Sequence, residues 1–243
     1  GVIAASGKLT DPTFLTADII GTYARSQKAL DVAKFEITMA DGRDLAFVGG
    51  VDNIGTSSVS FAGGLKAHNL ALRTILADWP DTIAVDYKAL IGSHMDGGFL
   101  RDGNAQIAGR YNPSDGALAL SRFDFDGYVS GLRVNVATDQ YRRAVGTVDG
   151  NFAIRMGGQG KIDELDITAT VSDGSVLLAG REAPVLMPAA NLQAQFTNSR
   201  ILAGGLTADF GPSGKISLSA NSIINNDNAI ESSQMDISTD DFD

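Results

Sequence analysis

The stretch DVAKFEITMADG, residues 31 to 42, alternates apolar and polar side chains one by one and then ends on Asp-Gly. Ala33, Phe35, Ile37 and Met39 take one set of alternate positions, and Lys34, Glu36 and Thr38 take the other. A period of two belongs to a strand with one wet face and one covered face, because successive side chains leave a strand on opposite sides. Asp41-Gly42 then supplies turn chemistry, glycine being free to take positive φ. The stretch predicts a strand, a tight turn and an antiparallel neighbour.

Working outward, the same rhythm continues on both sides. FLTADIIGTYAR, residues 14 to 25, places Leu15, Ala17, Ile19 and Tyr23 on one face and Thr16 and Asp18 on the other. Downstream, Leu45, Phe47 and Val51 form a further strand, and Val59, Phe61 and Leu65 another. After Gly97-Gly98 the alternation returns with Ala105, Ile107 and Tyr111, turns at NPSDG, and passes through Phe123, Phe125, Leu132 and Val134. Phe152, Ile154 and Met156 follow, then Leu165, Ile167 and Val171, then Leu192, Ala194 and Phe196, and last Leu206, Ile216 and Leu218. Connections this short suit antiparallel hairpins, since parallel pairing needs long crossovers.

One segment breaks the rhythm. In LALRTILADWPDTIAVDYKALIGSHMDGG, residues 70 to 98, apolar positions recur in threes and fours. Leu72, Ile75, Leu76 and Trp79 make one stripe of a short helix that Asn69 is placed to cap and Pro80 to end. Asp81 or Thr82 can start a second helix, with Ile83, Tyr87, Leu90, Ile91 and His94 along one side. Helices of about three turns are unstable alone and must lie against the sheet. The predicted organisation is N-terminal antiparallel strands over 1–66, a helical insert with Trp79-Pro80 over 67–96, and C-terminal antiparallel strands over 97–243. The fold class is mainly β: a long, curved antiparallel sheet of consecutive hairpins forming a groove.

Composition narrows the function. The 243 residues are 44% hydrophobic and 20% charged, which is a folding composition. A net charge of −10 disfavours a nucleic-acid groove, which must neutralise phosphates with Lys and Arg. Cysteine is absent, so thiolate metal sites and disulfides are excluded. No run of apolar residues is long enough to span a bilayer. The opening residues GVIAASGKL already read as a strand, as expected of a piece of a longer chain. The two histidines, His68 and His94, read as ordinary polar residues. Asp124 and Asp126 have a calcium-like spacing, but on a strand that spacing puts both opposite Phe123 and Phe125. GGQGKID, residues 157 to 163, lacks the Lys-Ser/Thr of a phosphate loop and reads as a hairpin turn. No enzyme, metal or cofactor is expected. What remains is the apolar faces, which must meet a second sheet, close into a barrel, or line a trough that holds apolar cargo.

Leu72, Leu76 and Trp79-Pro80, a second helix, Gly97-Gly98 and a strand after Arg101 occur in an order that resembles the YhdP branch of the AsmA-like proteins. FDFDGYVSGLRVNV, residues 123 to 136, and VGTVDGNFAIRMGGQGKIDELDITATV, residues 145 to 171, extend the likeness, which covers roughly residues 15 to 220. The chain departs from the pattern at AVDYKAL, where Tyr87 and Lys88 only loosely match the family's second helix. The resemblance implies a repeating β-groove protein of the periplasm of Gram-negative bacteria, anchored in the inner membrane by a helix outside this chain. Its implied task is to carry phospholipid toward the outer membrane, with acyl chains in the groove and head groups in solvent. The expected lining is Phe35, Ile37, Phe47, Phe61 and Ile107, continuing with Phe125, Phe152, Ile154 and Phe196. The alternative is a non-enzymatic module of envelope assembly that acts through protein partners. A secreted β-solenoid would need rungs of equal length, and the strand spacing here is irregular.

Overall fold

A computed structural model describes residues 2–7, 14–78, 85–137, 141–157, 162–197, 200–224 and 230–240. Trp79 and Pro80, Ile83, and most of the GGQGKID turn lie outside them. The chain is mainly β, with two short helices. The strands are β1 (Val2–Gly7), β2 (Phe14–Ala24), β3 (Ala29–Met39), β4 (Asp44–Asp52) and β5 (Val59–Ala71). The helices α1 (Leu72–Asp78) and α2 (Val85–His94) follow, then β6 (Met95–Asp96), β7 (Phe99–Asn112), β8 (Ala117–Val136) and β9 (Tyr141–Met156). The chain continues through β10 (Ile162–Leu178), β11 (Val185–Thr197), β12 (Arg200–Asp209), β13 (Lys215–Ile224) and β14 (Ile230–Asp240).

All the strands belong to one open antiparallel sheet whose order follows the chain from β1 to β14. The two-residue β6 is the exception, pairing with β8 at Met95–Val134 and Asp96–Arg133. A sheet that runs in chain order is the product of one hairpin after another, as the turn residues dictate. Gly42 sits at φ 81°, and Asp41 Oδ1 accepts a hydrogen bond from the Arg43 amide. Gly116, at φ 71°, closes the NPSDG turn by donating its amide to the Asn112 carbonyl at 2.9 Å.

Contacts divide the chain into two compact units. The first holds Gly1–Asp86, Leu100–Gly127 and Arg155–Lys161; the second holds Tyr87–Phe99, Tyr128–Ile154 and Ile162–Asp243.

Three details differ from the sequence pattern. A bulge between Val32 and Phe35 sets two residues of β3 against one of its neighbours. The insertion shifts the alternation by one, so Val32 (7% exposed) takes the covered position and Ala33 is exposed. Asn69 does not cap α1: it lies within β5 at φ 56°, and its Oδ1 accepts from Arg101. The helix α1 instead continues directly from β5, and its seven residues make two turns, not three. Leu72, Ile75 and Leu76 are half-buried on it.

Candidate functional site: the apolar faces

The first unit builds its apolar face by register. Ile19, Phe35, Phe47 and Leu65 stand opposite one another across β2 to β5, and Ala17, Ile37, Leu45 and Ala67 form the next row. Tyr23, Leu30, Val51 and Phe61 make another. Between them runs a row of small residues, Gly21, Val32, Gly49 and Gly63. No charged side chain stands in these four rows. Charge is kept to the other face, where Lys34 bonds Glu36 at 2.9 Å and Asp18 at 3.3 Å. Hydrogen bonding to Glu36, and then to Asp18, raises the Lys34 pKa above its ordinary value.

Rings in this unit lie down over glycines. A Cβ placed on Gly63 would come within 2.5 Å of Phe47 Cε2, and one on Gly49 within 2.8 Å of Phe47 Cζ. Phe61 Cζ stands 2.8 Å from the corresponding point at Gly109 on β7. Phe125 covers Gly127 of its own strand, at 2.5 Å from Cζ, and Gly103 of β7, at 3.2 Å from Cε2. Phe123 and Phe125 have ring planes within 4° of each other and centroids 6.4 Å apart.

The second unit makes its apolar face from aliphatic rows. Ala169, Leu192, Leu206, Leu218 and Ile237 align across β10 to β14, and Val171, Ala190, Ala208, Ile216 and Thr239 lie beside them. Phe196 stands opposite Leu165. In these rows the buried positions are alanines, Ala169 at 4%, Ala190 at 2% and Ala208 at 4% exposure. Gly150 lies close enough to Ala169 that a Cβ on it would fall 2.6 Å from Ala169 Cβ.

All nine side chains expected to line a groove are half-buried: Phe35, Ile37, Phe47, Phe61, Ile107 and Phe125 in the first unit, Phe152, Ile154 and Phe196 in the second. Among the described residues no large side chain is fully buried. Among the described residues these nine side chains keep partial exposure, whereas a second layer packed over them would bury them.

The opposite faces carry polar hollows. In the first unit a hollow of about 190 Å³ is lined by Asp44, Lys66, His68, Asp102 and Asn104. His68 Nδ1 lies 2.9 Å from Asp102 Oδ1, and Asp44 Oδ1 is buried without a hydrogen-bond partner. In the second unit Asp96, Arg133, Asn135, Arg143 and Asp173 line a hollow of about 380 Å³, where Arg143 Nε donates to Asn135 Oδ1 at 3.0 Å. His94 Nδ1 sits 3.4 Å from the Asn135 carbonyl. The carboxylates with calcium-like spacing are engaged by arginines, Asp124 by Arg122 and Asp126 by Arg155 at 3.1 Å. Among the described residues no three His, Asp or Glu side chains converge as a metal site would require. No described helix is long and apolar enough to cross a membrane.

The glycine seats were missed in the sequence, although a signal was there: Phe47-Val48-Gly49, Phe61-Ala62-Gly63 and Phe125-Asp126-Gly127 repeat Phe-x-Gly at the strand period. No family model, curated protein or solved structure matches the chain.

Proposed function

We propose that the apolar faces hold the acyl chains of phospholipid, and that the chain is a segment of a periplasmic, inner-membrane-anchored bridge passing lipid between the two membranes. The observation that carries this reading is the half-exposed apolar face of each unit, uncharged along its registered rows among the described residues. Such a face meets water at a cost that scales with its area, and an apolar occupant relieves it. The nature of the occupant follows from the surface. Backbone donors and acceptors are already used in the ladder, so the face offers few polar partners. At Phe47, Phe61 and Phe125 the rings fill the hollows above glycine that side chains of an incoming helix would need as holes. An alkyl chain needs neither hydrogen bonds nor holes. Transfer along such a face is sliding, with no bond made or broken, and no cofactor enters it.

The test is lipid extraction from the purified chain followed by mass spectrometry, together with photo-crosslinking side chains at positions 47 and 125. Phospholipid in the extract and acyl-chain adducts at both positions are the expected results. A lipid-free extract with no adduct at either position overturns the reading.

A second reading, a non-enzymatic envelope-assembly module acting through protein contacts, draws on β14. Met235 (57% exposed) and Ile237 (59%) are exposed apolar side chains of β14, the kind of surface that a protein partner covers. Saturable binding of an envelope protein that is abolished by Ile237→Lys, in a chain that carries no lipid, would favour it.

A further inference from the structure

The first unit contains one place where the level of the apolar face is set by two residues that have no side chain. Phe125 projects from β8 and leans along the strand over Gly127, while its other edge reaches Gly103 on β7. Leu100, 7% exposed, closes over the same two glycines: its Cδ1 lies 2.9 Å from where a Gly127 Cβ would stand and its Cδ2 2.8 Å from that of Gly103. The three heavy atoms nearest to each of those two missing Cβ atoms are side-chain atoms of Phe125 and Leu100. The glycines at the other rings are different. A Cβ on Gly49 or Gly63 would also strike the carbonyl oxygen of Ala62 or Val48, and one on Gly109 that of Ala119, so strand spacing alone asks for glycine there. Outside the adjacent residues no backbone atom comes nearer than 3.3 Å to the Cβ position at Gly103 or 3.0 Å at Gly127, so a methyl group meets the ring and the leucine first.

We propose that Gly103 and Gly127 are specificity-determining residues that keep the Phe125 ring flat, and that this ring height fixes the clearance for an alkyl chain on the first unit. The proposal rests on the acyl-chain reading above and adds to it the residues that gauge the cargo. A methyl group on Gly127 cannot coexist with Cζ of Phe125 at 2.5 Å, so the ring must leave its seat. With β8 and its neighbour on one side, the free direction is away from the sheet, into the space the acyl chain would use. Phe123, whose ring is nearly coplanar in orientation with Phe125, limits tilting back along the strand. A raised ring narrows the space for a phospholipid with two acyl chains more than it hinders a single-chain detergent.

The experiment measures phospholipid retained per protein by the full 243-residue chain. The probe is a phosphatidylethanolamine with a fluorophore on one acyl chain, and alkyl maltoside is the single-chain comparison. Gly127→Ala is expected to lower retained phospholipid by roughly threefold to tenfold, the range an off-rotamer ring implies, while leaving maltoside binding within about twofold. In a Phe125→Ala background, whatever its own retention, adding Gly127→Ala is expected to cause no further loss. Gly103→Ala supplies the same test from β7 if the first variant does not fold. Retention equal to wild type in both folded glycine variants overturns the proposal and leaves the acyl-chain reading standing. An equal loss on adding Gly127→Ala in the Phe125→Ala background also overturns it, since the ring is then not the cause. A wild-type chain that retains no phospholipid overturns both.

Discussion

The two units solve one problem with different residues. Both present an uncharged, half-buried apolar face along their registered rows. The first lays aromatic rings flat on glycines, with Phe47 over Gly49 and Gly63 and Phe125 over Gly103 and Gly127. The second alternates leucines with alanines, so that Ala169, Ala190 and Ala208 are the buried members of rows whose larger partners stand half-exposed. The difference teaches where each surface is adjustable. A ring can lift off a glycine, because side chains yield. An alanine wedged in its row cannot grow, because its neighbours are fixed by register.

The largest expected effect tests what the units share. Leu100 in the first and Leu132 in the second, at 7% and 4% exposure, are the two buried leucines among the described residues. Leu132 also lies against Gly98, whose Cβ would stand 2.7 Å from Leu132 Cα. Leu132→Ala is expected to cost about 2 to 5 kcal/mol, the range for a buried leucine, read as a fall in the urea midpoint. A change below about 1 kcal/mol would mean that the site is not close-packed, and the comparison would lose its structural footing.

The next effect separates the units. Ala190→Leu should cost about 1 to 3 kcal/mol, because Ala190 faces Val171 and Ala208 in register and has no room to turn. Gly127→Ala should change stability by less than about 1 kcal/mol. The rise in ring strain is offset by the smaller conformational freedom of alanine in the unfolded chain. Equal losses in the two variants, measured by the same denaturation, would erase the distinction drawn between a yielding and a fixed surface.

Much of this could be read from the sequence. The period of two in DVAKFEITMADG and its neighbours predicts strands, and Asp41-Gly42 and NPSDG predict turns, because these signals are local and one physical rule governs each. The phase of the alternation was less legible. At Ala33 the bulge depends on how β3 meets β2 and β4, which no single strand records, and so Val32 is buried where Ala33 was expected. Asn69 carries a capping side chain, yet it lies in β5 one residue beyond the His68–Asp44 pair and its Oδ1 accepts from Arg101. The Phe-x-Gly repeats were present as text. Their meaning needs the cross-strand partner as well, because Phe61 lies over Gly109 and Phe47 over Gly63, both on neighbouring strands. Register was required to turn a recurrent tripeptide into a surface.

The smallest expected effects concern the polar face and turns of the first unit, and their signs differ. Asp41 accepts from Arg43 Nε at 2.7 Å, and this hydrogen bond holds its pKa below the ordinary 3.8. A carboxyl with a depressed pKa stabilises the folded chain in full above 3.8, and the contribution is lost as pH falls through the lower folded value. Lys34 behaves in the opposite sense: its raised pKa gives a contribution that is complete below 10.5 and is lost as pH climbs through the higher folded value. Both pairs are solvent-screened, so each should move the urea midpoint only slightly. Asp41→Asn should flatten the acid side of the midpoint-against-pH curve and leave the alkaline side unchanged, whereas Lys34→Met should do the reverse. If Asp41→Asn flattened the alkaline side, the ion pairs of β3 and its turn would be coupled rather than local. The charged face would then act as one network, and the first unit would differ from the second in its electrostatics as well as in its rings.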